Sequence, residues 1–557
     1  MNKILIPLLI ASFFLFSYKL DSIPPGIDND EADRAYDAYS IAMTGKDQWG
    51  STMPLYFKGF GDYRLPIPTY SIVPFVYLFG FVPHVARFPS VLFGILSVVG
   101  TFYLGAYFFG KKAGLLSAFF LAFSPWFIGL VRVGLEASFA TCFMIWGTVF
   151  FLWARRKTLW FIPSALTFGL SMYSYYAHRL VVPIFILGLF FLYYRNIQSF
   201  KKTFTFIFIF GLCVLPIIIS LFTHSGQARI GQVVFTNDIG TINMVNEHRT
   251  ACEKQLSSHL CKLTHNKGTA LASVLLANYS AHFSLETLFF SGYESALSVK
   301  PPGSLFLSGE ILFAILGILL LIKNRVRQSL LFVWWILLAP IPDSLTGLGH
   351  FARFFIVLPA WQIVSGYSVK FLGTFRIIRT VFALFIVVQI FYFLSSYFGA
   401  FPIVYASRSH YEYRPLFESL LRYEKDFPAI YISSAQYDTK HYIFYLLYSQ
   451  YDPSTFQKNV DIVRSDDGGG WIHVQRIGKW NFVQSIPEIT NIPTNSLVVG
   501  HPNEFKNKYL RPLEITYSKD GKEAFYILPT CSQEESELFQ QSLLDNALTD
   551  KLSECYY

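Results

Sequence analysis

Asp28, Asp30, Glu31 and Asp33 fall within the six residues Asp28-Asn29-Asp30-Glu31-Ala32-Asp33, shortly after the first apolar run of the chain. A carboxylate can act as a general base if it reaches the proton of an acceptor group. An Asp-x-Asp pair such as Asp28 and Asp30 also offers hard oxygen ligands to a divalent metal, Mg or Mn. The plain alternative is capping: Asp28 or Asp30 caps a helix starting near Glu31, with acids favoured in its first turn. These roles are compatible, because a cap is a rigid mount, and spacing alone leaves them open.

A second ionisable pair, Arg132 and Glu136, stands in the short segment Arg132-Val133-Gly134-Leu135-Glu136 between two apolar runs. Charged groups at a membrane boundary are functional candidates by default. The alternative is a local i,i+4 ion pair of small energy. Three further connections each place an Arg beside aromatic residues: Gly61-Asp62-Tyr63-Arg64, Tyr175-Tyr176-Ala177-His178-Arg179 and Gly349-His350-Phe351-Ala352-Arg353. The planar fork of Arg suits a phosphate. Arg64, Arg132, His178, Arg179, His350 and Arg353 are therefore candidates for holding an anionic lipid phosphate, with interfacial snorkelling as the competing role. The sequence has no Walker-type loop, no HExxH and no CxxC, which removes the usual signatures of ATP-driven transport, zinc hydrolysis and thioredoxin-like chemistry. Deep intramembrane acids are scarce, against a proton-coupled transporter.

The elements that must position these groups are membrane helices. The chain has 557 residues, 53% hydrophobic and only 15% charged, with 58 Phe and 34 Tyr. Its mean hydropathy is +0.40. So little charge cannot cover so much aromatic surface in water, so the class is an α-helical polytopic membrane protein. Apolar runs near the ~20 residues needed to span lie at about 4–16, 86–109, 113–130, 137–154, 158–176, 180–194, 203–222, 307–322, 328–342, 354–372 and 380–398, about 11 transmembrane helices in all. Basic clusters follow every even-numbered span: Lys111-Lys112, Arg155-Arg156-Lys157, Arg195 with Lys201-Lys202, Lys323 with Arg325 and Arg327, and Arg376 with Arg379. The positive-inside rule puts them in the cytoplasm with the N-terminus, and the acidic motif outside. The net charge of +9 is thus mostly a topology signal, with no nucleic-acid partner. The apolar stretch 66–82 keeps this parity only as a helix lying at the outer interface, and Asp30 to Thr44 predicts another short helix beside it.

Composition shifts near residue 399. Residues 1–398 form the expected membrane domain and 399–557 an extracytoplasmic α/β domain. Ala429–Ser433 and Ser496–Val499 predict strands; Tyr413–Lys425 and His441–Tyr451 predict helices. Cys252 with Cys261 and Cys531 with Cys555 share oxidising-side segments and can form two disulfides, while Cys142 and Cys213 lie in spans.

The order of the acidic Asp30-Glu31 pair, Gly61–Tyr70, Ala86–Gly94 and Ser124–Ala140 resembles the family C (GT-C) glycosyltransferases, near the bacterial protein O-mannosyltransferase and lipid A aminoarabinose transferase group. The resemblance runs from Ile4 to about Ala140 and continues in order through Tyr173–Arg179 and Gly349–Pro359. It implies a GT-C fold with two interfacial helices in the first outer loop, and inverting transfer of a hexosyl or pentosyl group from a polyprenyl-phosphate-linked donor on the outer face. Asp30 matches the catalytic acidic position and Glu31 completes the pair. Glu136 stands where relatives carry a second-loop Asp. Arg64 stands where the aminoarabinose transferases have Lys before Pro, but here Leu65 intervenes.

The resulting expectation is an envelope glycosyltransferase, mannosyltransferase-like and concerned with protein glycosylation or a related transfer, in the plasma or inner membrane. Its catalytic group would be Asp30, Glu31 and Glu136, its partners a lipid bilayer, a polyprenyl-phosphate sugar and a protein, lipid or glycan acceptor. No cofactor is certain; a divalent metal at Asp28 and Asp30 stays open. The alternative is a non-enzymatic lipid or polysaccharide transporter or assembly scaffold. That reading predicts polar groups threading the bundle at mid-depth, whereas the polar residues here gather at one face.

Overall fold

Long apolar runs with few charges satisfy their backbone groups internally as helices, the form that a hydrocarbon environment demands. The computed structural model describes residues 4–60, 63–193, 200–222, 239–291, 304–324, 330–346, 351–369, 376–435, 440–466, 472–486, 492–505 and 511–531. Arg195, Arg325, Arg327, His350 and Cys555 lie outside the described residues. Two compact units emerge. The bundle unit comprises 1–18 and 90–396; the second unit comprises 19–89 and 397–557. The segment carrying the acidic motif therefore folds with the C-terminal segment, although some 300 residues separate them in the chain.

Five described helices are long and apolar enough to cross a membrane: Pro83–Phe109, Glu136–Ala154, Tyr176–Tyr193, Thr203–Ser220 and Arg379–Val404. Leu5–Ser17, Phe161–Met172, Glu310–Lys323, Leu330–Leu338 and Leu358–Tyr367 are shorter apolar helices. Phe204, Ile207, Phe208, Leu212, Leu215, Ile218 and Ile219 are exposed on one helix, as a lipid-facing surface requires. The run expected as a single span over 113–130 is instead two helices, Lys111–Phe123 and Pro125–Arg132, bent by 58°. Pro125 lacks the amide needed to continue the ladder, and the Ser124 hydroxyl accepts from the Phe127 amide to start the second helix. Small residues let helices close: a Cβ on Gly114 would lie 2.5 Å from the Phe102 carbonyl oxygen. Cys252 and Cys261 form a disulfide. Cys531 is also disulfide-bonded, while Cys142 and Cys213 are free.

The second unit contains helices Asn29–Thr44 and Pro66–Phe79. The latter has 14 residues, a rise of about 21 Å, short of the ~30 Å hydrocarbon core. Seven strands form a mixed sheet: β3 Ile430–Ser433, β4 Ile462–Asp466, β5 Ile472–Ile477, β6 Trp480–Val483, β7 Leu497–Gly500, β8 Glu514–Tyr517 and β9 Glu523–Pro529. Their order is β4-β5-β6-β3-β7-β9-β8. β3 runs parallel to β6 and β7, and the outer pairings are antiparallel. β1 Phe57–Lys58 and β2 Tyr63–Arg64 form a separate two-stranded ladder. Helices Tyr413–Tyr423 and His441–Tyr448 and β3 and β7 fall where the sequence pattern predicts them. One apolar core joins Ala32, Ala35, Tyr36, Ile72, Val76 and Phe81 to Tyr413, Phe417, Tyr442, Tyr445 and Trp480.

Candidate active site

The acidic motif opens the Asn29–Thr44 helix, with Asp28 at the N-cap and Asp30 and Glu31 in the first turn. Asp28 has the extended backbone of a cap, but its carboxyl makes no capping bond. Only the positional half of the capping expectation holds. The four carboxylates then part company. Glu31 is buried and bound by Arg87, whose Nε lies 2.5 Å from Oε1 and whose Nη2 lies 3.1 Å from Oε2. The same guanidinium donates to the carbonyls of Leu20 at 2.8 Å, Pro24 at 3.0 Å and Gly26. One buried Arg thereby fixes the whole approach to the motif, using its rigid fork of donors.

Asp33 is buried and ion-paired with Arg64, and accepts from Gln48 Nε2 at 2.6 Å. Arg64 also lies 4.0 Å from Asp37 and donates to the Asp30 carbonyl at 3.2 Å. Burial, then the nearby Asp47, pushes the Asp37 carboxyl well above the usual carboxylate range. Asp30 is exposed, with no side-chain hydrogen bond or ion pair among the described residues. Asp28 lies with Oδ1 3.9 Å from His410 Nδ1. Burial, followed by the charges of Asp30 and Glu31, pushes Asp28 up to about 7, with Arg34 opposing. The helix N-terminus favours negative charge in this turn, and Asp30 is the carboxylate of the motif left exposed there.

The remaining candidates belong to the bundle unit. Arg132 is buried, donating to the carbonyls of Leu15, Phe16 and Tyr18 at 2.8, 3.1 and 2.7 Å. It closes the C-terminus of the first helix. Glu136 begins its helix and is half-buried. His178 is buried, 2.7 Å from the Ser171 hydroxyl. Arg179 is half-buried, donates to the Met172 carbonyl at 3.2 Å and lies over the Tyr176 ring. Arg353 is half-buried, 3.6 Å from Asp343 and bonded to Thr346.

Sequence reading missed several partners. Asp343 holds both Arg353 and His282, the latter at 3.0 Å through Nε2. Glu310, buried at the start of a span, accepts from Ser365 at 3.0 Å and Gln362 at 3.4 Å. Arg87 belongs to no catalytic or phosphate motif in the sequence and gains its role only by meeting Glu31. The metal reading of Asp28 and Asp30 needs more ligands than this pair. Among the described residues no group of three or more His, Cys, Asp or Glu side chains could hold a metal ion.

Residues 64–221 match the dolichyl-phosphate-mannose-protein mannosyltransferase family. No curated protein matches the chain by sequence. The structure is similar to ArnT from Cupriavidus metallidurans bound to undecaprenyl phosphate, with TM-score 0.51 and 10% identity over 95% of this chain and 98% of that one. ArnT in the apo state aligns with TM-score 0.51 and 11% identity, over 94% and 97%. The oligosaccharyltransferase AglB from Archaeoglobus fulgidus, in complex with an inhibitory peptide and a dolichol-phosphate, aligns with TM-score 0.47 and 14% identity, over 80% of this chain and 64% of that one. The near-complete mutual coverage with ArnT extends through the C-terminal sheet domain, and the chain has the GT-C membrane fold.

Proposed function

We propose that the protein is a membrane glycosyltransferase that moves a sugar from a polyprenyl-phosphate donor to an acceptor hydroxyl on the extracytoplasmic face. One observation carries this reading. Glu31 and Asp33 are buried and paired with Arg87 and Arg64, while Asp30 alone of the motif is exposed. Asp30 takes the acceptor's proton as its oxygen attacks the anomeric carbon. The bond from that carbon to the phosphate oxygen breaks as the new glycosidic bond forms, with inversion. The phosphate departs as an anion and needs no strong general acid; fixed positive charge offsets what develops on it.

Within the bundle unit, Arg353, held by Asp343, and Arg179 are the half-buried candidates for binding an anion. Arg64 and Arg132 are committed to carboxylates and carbonyls, and Glu31 serves as a mount. The basic clusters keep the N-terminus cytoplasmic and the C-terminal domain outside. ArnT, bound to undecaprenyl phosphate in its structure, supports the choice of donor class. The test is reconstitution in liposomes with undecaprenyl-phosphate sugars carrying a radiolabel on the sugar. Label leaving the lipid for an envelope acceptor supports the reading. Label retained on every lipid offered, with folded protein and envelope extract present, rejects it.

A further inference from the structure

Within the bundle unit, Arg353 meets its polar neighbours through one nitrogen. Nη1 donates to the Thr346 hydroxyl and lies 3.6 Å from Asp343 Oδ1. Among the described residues Nε and Nη2 have no hydrogen-bond partner, and the side chain keeps 14% of its surface exposed. The edge left open is the one whose parallel N–H groups match two oxygens of a phosphate.

That edge is held from behind by fully buried groups, Asp343 and His282. Asp343 Oδ2 lies 3.0 Å from His282 Nε2, so Oδ1 is the oxygen that faces Arg353. Oδ1 has no hydrogen bond among the described residues. A buried carboxylate oxygen of that kind is costly, and the guanidinium charge beside it is what compensates. The imidazole is clamped in turn. Its Nδ1 lies 2.7 Å from the Asn278 carbonyl, and its ring meets the Phe354 ring edge-on with centroids 4.8 Å apart. Asn278 also donates to the Ser344 carbonyl at 3.4 Å. Phe354 and Ser344 are the chain neighbours of Arg353 and Asp343. The C-terminal end of the Lys267–Ala281 helix thus grips both members of the ion pair.

We propose that His282 and Asp343 are positioning residues for a phosphate fork: they hold Arg353 so that its Nε–Nη2 edge binds the phosphate of the polyprenyl lipid. This rests on the transferase reading and gives the Lys267–Ala281 helix a part in donor binding. The fork needs Arg, because Lys carries the charge as a point without the two parallel donors. A purely structural tie between the two connections would show itself in Tm and leave the phosphate affinity of the folded protein unchanged.

The test is binding of undecaprenyl phosphate to the full chain in detergent, with undecaprenol as the phosphate-free comparison and donor KM and kcat measured beside it. Arg353→Lys keeps the charge but loses the fork, and should weaken undecaprenyl phosphate by about 10-fold or more. His282→Phe keeps the ring contact but releases Asp343, and should weaken it by about 5-fold with kcat little changed. His282→Gln, whose amide can still donate to Asp343, should bind as wild type does. In an Arg353→Ala background His282→Phe should add nothing, since the residue it positions is gone. Undecaprenol should bind all variants alike. Unchanged undecaprenyl phosphate affinity in folded His282→Phe overturns the proposal, and so does a full additional loss in the Arg353→Ala background. If His282→Phe does not fold, the isosteric Asp343→Asn takes its place, with the same weakening expected and the same unchanged affinity overturning it. Inorganic phosphate that displaces the lipid at equal concentration would assign the fork to the free anion and overturn the lipid reading. Wild-type protein that binds undecaprenyl phosphate through this fork but transfers no sugar rejects the transferase reading instead.

Discussion

Around Asp30, carboxylates outnumber cations, and two of the cations are paired with carboxylates, Arg87 with Glu31 and Arg64 with Asp33. In the bundle unit the candidate connections are cation-rich, with Arg132, His178, Arg179 and Arg353 each seated on carbonyls, a hydroxyl or Asp343. The first arrangement leaves over an exposed acid, the second a partly open guanidinium. The difference teaches that residue type alone does not mark a reactive group. What marks a candidate is the charge left after buried pairing is complete; by that criterion the proposed base is sought in the first region and the proposed anion-binding group in the second.

The largest effect should come from removing the leftover acid. Asp30→Asn keeps the helix start but cannot take a proton, so transfer should fall by about 10²–10⁴-fold with donor binding retained. A near-wild-type rate in Asp30→Asn, measured beside Asp28→Asn and Glu31→Gln, would erase the distinction between the regions.

Breaking the mount should act on stability. Glu31→Gln strands the buried charge of Arg87, and loss of one partner of a buried pair costs roughly 3–5 kcal/mol. A clear fall in Tm in detergent is expected, with activity falling in step with the folded fraction. A fully stable Glu31→Gln protein that is nonetheless inactive would return Glu31 to a chemical role.

The fold class was legible because apolar run length and basic parity report directly on membrane helices. The acidic motif was legible by spacing. Its internal division of labour was not, because it depends on partners brought in by folding: Arg87 lies 56 positions from Glu31, and His410 is in another part of the chain altogether. Asp343 likewise acquires meaning only once His282 and Arg353 meet it. The broken helix at Ser124-Pro125 is different. Its signal was present in the proline, but an unbroken apolar run outweighed it.

In the bundle unit, Arg353→Ala should raise the donor KM about 10-fold or more, the loss of a charge-assisted hydrogen bond, with little change in kcat. Arg132→Ala should lower Tm instead, because its donors close a helix end. The same KM effect in both variants would show that buried pairing does not separate anchors from ligand-binding groups.

The smallest effect concerns Asp28 and tests whether crowding of carboxylates is felt by the fold itself. Its folded pKa is raised from 3.8 to about 7, mainly by burial and then by Asp30 and Glu31. A raised carboxylate pKa means that the folded state holds a proton that the unfolded state releases. The associated stabilisation is therefore complete below pH 3.8 and is lost as pH climbs through about 7. Asp28→Asn stays uncharged throughout and escapes that loss. Its Tm relative to wild type should be flat at low pH and rise between about pH 4 and 8, by an amount equivalent to roughly 1–2 kcal/mol once solvent screening is allowed for. A Tm difference independent of pH would mean that Asp28 is ionised in the fold. The crowding of carboxylates would then not be felt by the fold, and the contrast between the two regions would be weakened at the acidic motif.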